Sequence, residues 1–161
     1  MIVIVMGVVG AGKTTVGEML AQQQKWKFAD ADDFHPRSNV EKIRNGISLD
    51  DADREPWLEH LRTAISQWIS TGANVVLACS ALKQSYRAKL MVGPEVRFVY
   101  LKGSASLISE RLRARHGHFA GEPILASQLA DLEEPQCAIT VSIAASPQLI
   151  VDQIRKQLSL E

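Results

Sequence analysis

Apolar runs and amphipathic stretches alternate along the chain, and their periods assign most of it to strands and helices. The first run, Ile2–Met6, is continuously apolar and rich in β-branched residues, which is typical of a strand covered on both faces. Comparable runs occur at 26–29, 75–78, 97–101 and 138–143. Between them apolar positions recur every three or four residues, which predicts helices over 13–24, 36–45, 54–71, 83–91, 104–115 and 147–158, with a short helix near Ser127. Strands that alternate with helices predict a parallel sheet with helices on both faces.

Local signals mark several helix ends. Gly46 and Gly72 follow their helices at the position where a left-handed C-cap is common. Asp53 is expected to cap the third helix, and Pro56 suits its first turn. The stretch 116–123 holds two glycines and a proline and predicts a mobile loop, which we take as a small lid over about 116–125.

Length and composition narrow the class of protein. A chain of 161 residues suits a single α/β domain of three layers, with a five-stranded parallel sheet between its helices. Lys and Arg total 18 and so do Asp and Glu, so the basic excess of most nucleic-acid-binding proteins is missing. Cys79 and Cys137 are too far apart for a metal site of the CxxC type, and they favour a reduced, cytoplasmic protein. Residues 1–12 are uncharged but too short to span a bilayer, so we expect no membrane partner.

Residues 7–14 read GVVGAGKT and match GxxxxGK[ST], the phosphate-binding P-loop, between a predicted strand and a predicted helix. Its glycines let backbone N–H groups turn toward phosphate oxygens, and the helix that follows adds the positive end of its dipole. Lys13 is expected to neutralise the β- and γ-phosphates of ATP, and the Thr14 hydroxyl to bind Mg²⁺. The predicted nucleotide-binding residues are Gly7, Gly10, Ala11, Gly12, Lys13, Thr14 and Thr15.

A P-loop alone does not define a reaction. The NKxD and DxxG patterns of switch GTPases do not occur in this sequence, and neither does the GYPR pattern expected of adenylate-type kinases. Two interpretations remain: a kinase for a small acceptor molecule, or a non-catalytic nucleotide-binding module.

Three acids follow the second predicted strand. If Asp30 lies in the strand, alternation places the side chains of Asp30 and Asp32 on the same side. Beside a P-loop, one carboxylate can hold Mg²⁺ and the other can accept the proton of an attacking hydroxyl. We assign Asp32 as the base and Asp30 to the metal, although the two roles can be exchanged. Asp33 serves equally well as a cap for the next helix.

The residues beyond the P-loop resemble the gluconokinase (gluconate kinase) family. The resemblance is carried by DADDFHPRSN at 30–39, Lys42, Gly46, DDADREPWL at 50–58, CSALKQSYR at 79–87, His118-Phe119, Ser127-Gln128 and LEEP at 132–135. It runs from about residue 2 to 135 and departs at Ala120-Gly121-Glu122, where the family usually has a bulky apolar residue. It implies the P-loop kinase fold shared with shikimate kinases, ATP-dependent phosphorylation of D-gluconate at its 6-hydroxyl, and commonly a homodimer.

If gluconate is the acceptor, its carboxylate and hydroxyls call for a cation and several hydrogen-bonding groups. Arg54, Lys83 and Arg87 are the candidate cations, and His35 can donate to a hydroxyl or simply cap its own turn.

Two further cations are expected to act on the phosphates. Arg111 and Arg115 precede the predicted lid, lie four residues apart and share a helix face, so we expect both to reach the transferring phosphoryl group. The alternatives are a kinase of another small acceptor, such as shikimate or a related sugar acid, and the non-catalytic ATP-binding module.

Overall fold

Five strands form one parallel sheet in the computed structural model, which describes residues 1–116 and 122–161. The strands are β1 (Ile2–Met6), β2 (Lys27–Asp30), β3 (Val75–Ala78), β4 (Val96–Lys102) and β5 (Ile139–Ser142). Their order across the sheet is β2-β3-β1-β4-β5, and every neighbouring pair is parallel. The predicted five-stranded parallel sheet is therefore confirmed.

Seven α-helices connect or flank the strands in the described ranges. They are α1 (Lys13–Gln24), α2 (Arg37–Arg44), α3 (Asp51–Ser70), α4 (Gln84–Leu90), α5 (Ala105–His116), α6 (Glu122–Asp131) and α7 (Pro147–Gln157). A 3₁₀ turn, Ala31–Phe34, follows β2 directly. Within these ranges, no helix combines the length and the apolar character that crossing a bilayer requires.

The central strand β1 shows how the sheet is covered on both faces. Val3 and Val5 pack in a core that includes apolar residues of α1, α5, α6 and α7. Ile2, Ile4 and Met6 pack on the other face, in a core that includes residues of α3 and α4. All five β1 side chains are buried, which explains why this strand is apolar throughout rather than alternating. The three-layer architecture is confirmed.

The strand order places the carboxyl ends of β1, β2 and β3 side by side. β3 pairs with β1 through Val5 and Ala78 and with β2 through Ala78 and Asp30. Chain segments that leave these three ends therefore meet at one edge of the sheet, which is where ligands of open α/β folds bind.

The helix α3 begins earlier than the sequence suggests. Its N-cap is Asp50, whose side chain accepts a hydrogen bond from Asp53 N–H at 2.7 Å. The Asp53 carboxylate accepts in return from Asp50 N–H at 3.1 Å, which completes a capping box. The expectation that Asp53 is the cap was wrong because several adjacent aspartates compete for that position, and the one three residues upstream starts the helix.

The helix α6 is longer than the short helix expected near Ser127. It spans ten residues and begins at Glu122, so Pro123 lies in its first turn, where proline is well tolerated. The predicted lid of about 116–125 therefore overlaps α6, and residues 117–121 of that lid lie outside the described residues.

Candidate active site

The P-loop connects β1 to α1 and has the backbone that its glycines allow. Gly10 and Gly12 have φ angles of +81° and +97°, values that other residues rarely adopt. A Cβ at Gly10 would also lie 2.8 Å from Leu112 Cγ of α5, so a side chain there would collide with a packed helix. Because Gly12 is the N-cap of α1 and has no side chain, the N–H groups of the first turn are left open to an anion.

Lys13 folds back over the loop that precedes it. Its Nζ donates to the Val8 carbonyl at 3.0 Å. Burial lowers the pKa of Lys13, and the carboxylates of Asp32 and Asp30 oppose that shift. A cation held against the loop in this way is preorganised for phosphate.

Three cavities meet around the P-loop, and each is defined below by the residues that line it. The P-loop cavity, about 240 Å³, is lined by Val9, Gly10, Gly12, Lys13, Thr14, Thr15, Asp30, Asp32, Ala78, Ser80, Arg115 and Gln128. Its wall combines backbone N–H groups, three hydroxyls, two carboxylates and two cations. The P-loop, the acids after β2 and the segment after β3 therefore converge on this cavity.

The outer cavity, about 350 Å³, adjoins the P-loop on the side of α5 and α7. Its lining residues are Gly10, Ala11, Gly12, Thr15, Val16, Arg111, Leu112, Arg115, Ala145, Pro147 and Ile150. Arg111 and Arg115 both border it, as their shared helix face predicts, and Arg111 Nη2 also donates to the Ile143 carbonyl. The structure thus brings both arginines to the P-loop, while their action on a phosphoryl group stays a prediction.

The acceptor cavity, about 190 Å³, shares none of its described lining residues with the outer cavity. Its lining residues are Val9, Asp32, His35, Ile43, Ile47, Ser48, Leu49, Arg54, Trp57, Ser80, Ile124, Ser127 and Gln128. Among the described lining residues, four also border the P-loop cavity: Val9, Asp32, Ser80 and Gln128. These four mark the place where a group held by the P-loop can reach a molecule in the acceptor cavity.

Asp30 and Asp32 occupy different environments. The strand ends at Asp30 and a 3₁₀ turn follows, so strand alternation does not extend to Asp32. Asp30 caps the turn by accepting from Asp32 N–H at 2.9 Å, and burial raises the pKa of Asp30 while that hydrogen bond opposes the rise. The Asp32 side chain is 82% exposed and borders both cavities, whereas Asp30 borders the P-loop cavity. This arrangement favours Asp32 as the residue that meets an acceptor.

His35 is held neutral in the wall of the acceptor cavity. Its ring stacks on Trp57 with centroids 4.6 Å apart, and its Nδ1 lies 3.2 Å from Asn39 Nδ2. Burial, and then the charge of Arg54, lower the pKa of His35 to about 4. The 4.0 Å approach of His35 Nε2 to Asp32 Oδ1 is therefore a contact between a neutral ring and a carboxylate near neutral pH, not an ion pair.

Arg54 is a buried cation on the acceptor side. Its Nη1 donates to Tyr86 Oη at 3.0 Å and to Asp131 Oδ2 at 3.1 Å. It is 9% exposed and lines the acceptor cavity. Asp32 lines the same cavity as Arg54, whose contact with substrate stays a prediction.

Lys83 and Arg87 lie elsewhere, since neither is among the described residues that line the three cavities. Lys83 Nζ pairs with Asp51 at 2.9 Å, and that hydrogen bond raises the pKa of Lys83. Arg87 is buried and donates to three backbone carbonyls, those of Ala81 at 2.7 Å, Leu82 at 3.0 Å and Glu133 at 2.7 Å. These contacts support a structural role for Arg87, because they tie the segment after β3 to the segment after α6.

Arg87→Lys should therefore destabilise the protein without weakening acceptor binding. A lysine has no planar fork, so it cannot serve three carbonyls at once, and we expect the free energy of unfolding to fall by about 2–4 kcal/mol. Urea unfolding measures this loss, with exposed Arg97→Lys as the matched control. A stable Arg87→Lys variant with a tenfold higher KM for the acceptor would instead support the substrate role predicted from the sequence.

Several residues of the site have contacts that the sequence does not predict. Asn39 is buried and donates from Nδ2 to the Asp53 carbonyl at 2.7 Å, so it fixes α2 against α3 beside His35. Asp131 pairs with Arg54, and Gln128 Oε1 accepts from Val9 N–H at 2.6 Å. Gln128 and Asp131 are three residues apart on α6, a spacing that places them on one helix face. That spacing was the available signal, but their partners lie too far away in sequence to be inferred.

Known proteins resemble this chain along nearly its whole length. A family model described as an AAA domain matches residues 2–135. A probable gluconokinase from Xenopus tropicalis is 40% identical, over 98% of this chain and 93% of that protein. The gluconokinase of Gluconobacter oxydans is also 40% identical, over 98% of this chain and 91% of its own length. The crystal structure of a gluconokinase from Sinorhizobium meliloti superposes with a TM-score of 0.87 at 39% identity, covering 98% of this chain and 90% of that one.

Proposed function

The chain belongs to the gluconokinase family, and from that membership we propose that it transfers the γ-phosphoryl group of ATP to the 6-hydroxyl of D-gluconate. One observation carries the mechanism: Asp32 borders both the P-loop cavity and the acceptor cavity. ATP binds with its phosphates on the P-loop, and gluconate binds in the acceptor cavity. The products are 6-phospho-D-gluconate and ADP.

Asp32 meets the attacking hydroxyl in this scheme. The oxygen of the gluconate 6-hydroxyl forms a bond to the γ-phosphorus, and the bond from that phosphorus to the β,γ-bridging oxygen breaks with its electron pair leaving on ADP. The hydroxyl proton passes to the Asp32 carboxylate, which is exposed enough to release it to solvent afterwards. Lys13 at the β- and γ-phosphates, with Arg111 and Arg115 from α5, stabilises the charge that spreads over the transferring group.

The donor set of the P-loop cavity fits Mg²⁺. This ion typically takes one or two protein oxygens and fills its other positions with phosphates and water. The Thr14 hydroxyl and the Asp30 carboxylate line the cavity and are the oxygens we assign to it. Within the described residues no cluster of three or more His, Cys, Asp or Glu side chains could hold a metal ion. When bound, the ion would neutralise phosphate charge.

Arg54 and His35 suit the two kinds of group that gluconate carries. A buried guanidinium attracts the carboxylate, and a neutral imidazole can hydrogen-bond to a hydroxyl without adding charge. We also propose a homodimer, on the strength of the family resemblance. A cytoplasmic location is supported by Cys79 and Cys137, which are both unpaired.

An acceptor panel tests the function. With ATP and Mg²⁺, we expect ADP release to depend on D-gluconate, and kcat/KM for gluconate to exceed that for D-glucitol by about 10²-fold. D-Glucitol keeps the hydroxyl chain but replaces the carboxylate, so the ratio isolates the contribution of the cation in the acceptor cavity. A coupled assay of ADP release measures both rates, with shikimate and other sugar acids as further acceptors.

Each alternative has its own result in this assay. A clear preference for shikimate or another sugar acid would contradict gluconate as the substrate while leaving the kinase assignment intact. Nucleotide binding without any acceptor-dependent ADP release would contradict catalysis altogether and favour the binding module.

A further inference from the structure

Gln128 connects the two sides of the site. It lies on α6 and borders both the P-loop cavity and the acceptor cavity. Its Oε1 accepts a partly buried hydrogen bond of 2.6 Å from Val9 N–H, the amide of the third P-loop residue, across 119 positions of sequence. A side chain from a distant helix is therefore fixed to the P-loop backbone at the point where the two cavities meet.

The other end of the same amide is a donor. Val9 N–H can only donate, so the carbonyl oxygen of Gln128 must face it, and this fixes the direction of Nε2. Across residues 1–116 and 122–161, Oε1 takes part in a hydrogen bond while Nε2 does not. The junction thus offers a neutral N–H donor whose position is already set.

The helix α6 holds Gln128 in place from both flanks. One turn earlier, Leu125 is buried in the core beneath the sheet. Three residues later, Asp131 accepts from Arg54 Nη1 at 3.1 Å. A side chain on a helix with such anchors loses little freedom when it acts, which is the condition for efficient electrostatic stabilisation.

We propose that Gln128 is a catalytic residue, whose Nε2 donates a hydrogen bond to an oxygen of the phosphoryl group in transit while its Oε1 holds the P-loop at Val9. The inference rests on the proposed function for the identity of the acceptor. Negative charge spreads over the phosphoryl oxygens during transfer, and the junction of the cavities is where that group passes. Gln128 takes no proton and forms no covalent bond in this role.

Two variants at Gln128 distinguish the donor end of its amide from the acceptor end, and a variant of an exposed glutamine is the control. Gln128→Met removes both ends at similar volume, and we expect kcat to fall about 10²-fold with the KM for ATP and gluconate changed less than about threefold. Gln128→Glu keeps an acceptor for Val9 N–H but carries no donor at pH 8, so kcat should also fall about 10²-fold. Gln153→Glu on α7 is the exposed control and should match the wild type. Thermal unfolding midpoints verify that all three variants fold.

The pH profile gives the distinguishing signature. A protonated glutamate has an O–H donor and a carbonyl acceptor, so it reproduces both ends of glutamine. Between pH 8 and pH 5.5 the ratio of wild-type kcat to Gln128→Glu kcat should shrink by about threefold or more, as the carboxyl group near the phosphates takes up its proton. A ratio that stays constant, or a Gln128→Glu variant within about threefold of wild type at pH 8, would overturn the proposal.

A second assay, the slow hydrolysis of ATP with water as the acceptor, distinguishes failure of the proposed function from failure of the proposed role of Gln128. If the wild type ignores gluconate but the Gln128 variants lose this hydrolysis, the acceptor assignment is wrong and the role of Gln128 stands. If the wild type phosphorylates gluconate and the variants behave like Gln153→Glu in both assays, the role of Gln128 is wrong and the function stands.

Discussion

Lys13→Met should reduce kcat by about 10³-fold or more while the protein stays folded. Lys13 is the one lysine among the described lining residues of the P-loop cavity, and it is held there by the Val8 carbonyl. Single donors that stabilise developing charge contribute about 10²–10³-fold, and cations placed on a transferring phosphoryl group contribute about 10³–10⁵-fold. Steady-state assays with saturating ATP and gluconate measure the loss.

The stability of the same variant is part of the expectation. Burial lowers the pKa of Lys13, which means that the fold carries the cost of desolvating this ammonium group. Methionine keeps the apolar stem and removes that cost, so the free energy of unfolding should change by less than about 1 kcal/mol. Lys156→Met, at an exposed position on α7, controls for the loss of a lysine in general. Near-normal kcat in Lys13→Met would contradict the mechanism.

The P-loop was predictable from sequence because its signals are local. Eight consecutive residues match the motif, the apolar strand before it and the helical period after it are visible in the sequence, and Gly10 and Gly12 adopt the left-handed angles that glycine permits. The alternation of strands and helices likewise determines the sheet and its two covering layers, since each strand is followed by a helix that must pack back onto it.

The cations of the site show where such reasoning ends. Arg54 and Arg87 are both basic residues near the predicted acceptor side, and nothing in their own segments distinguishes them. They differ in distant partners: Asp131 is 77 residues from Arg54, and the Glu133 carbonyl is 46 residues from Arg87. Arg54 pairs with its distant partner at the acceptor cavity, whereas the guanidinium of Arg87 is occupied by hydrogen bonds to backbone carbonyls. A contact between residues so far apart in sequence leaves no signal in the hydrophobic periodicity of a single sequence.

Asp30 and Asp32 line the same cavity, but strand alternation is not the reason. Strand alternation was expected to place Asp30 and Asp32 on the same side, yet the strand ends at Asp30 and a 3₁₀ turn follows. Both carboxylates still border the P-loop cavity because the Asp30 side chain closes the turn on Asp32 N–H. The consequence is a division of environments, with Asp30 more buried and Asp32 exposed to both cavities.

Asp32→Asn should lower kcat by about 10³-fold and leave the KM for ATP and gluconate within about threefold. The amide keeps the size of the side chain but cannot accept the hydroxyl proton, and general bases contribute about 10²–10⁴-fold. Asp33→Asn is a closely matched control, because Asp33 is the next carboxylate in the same 3₁₀ turn and is also exposed. Its kcat should stay within about twofold of wild type.

Magnesium dependence separates the two acids whose roles the sequence leaves interchangeable. If Asp30 serves the metal, Asp30→Asn should raise the Mg²⁺ concentration needed for half-maximal activity, whereas Asp32→Asn should leave it unchanged. The Asp30→Asn substitution should leave the fold intact, since an asparagine at position 30 can still accept from Asp32 N–H and cap the turn. The reverse pattern would exchange the assignments. Among the described lining residues of the acceptor cavity, Asp32 is present and Asp33 is not. Equal losses of kcat in Asp32→Asn and Asp33→Asn would therefore contradict the assignment of Asp32 as the general base.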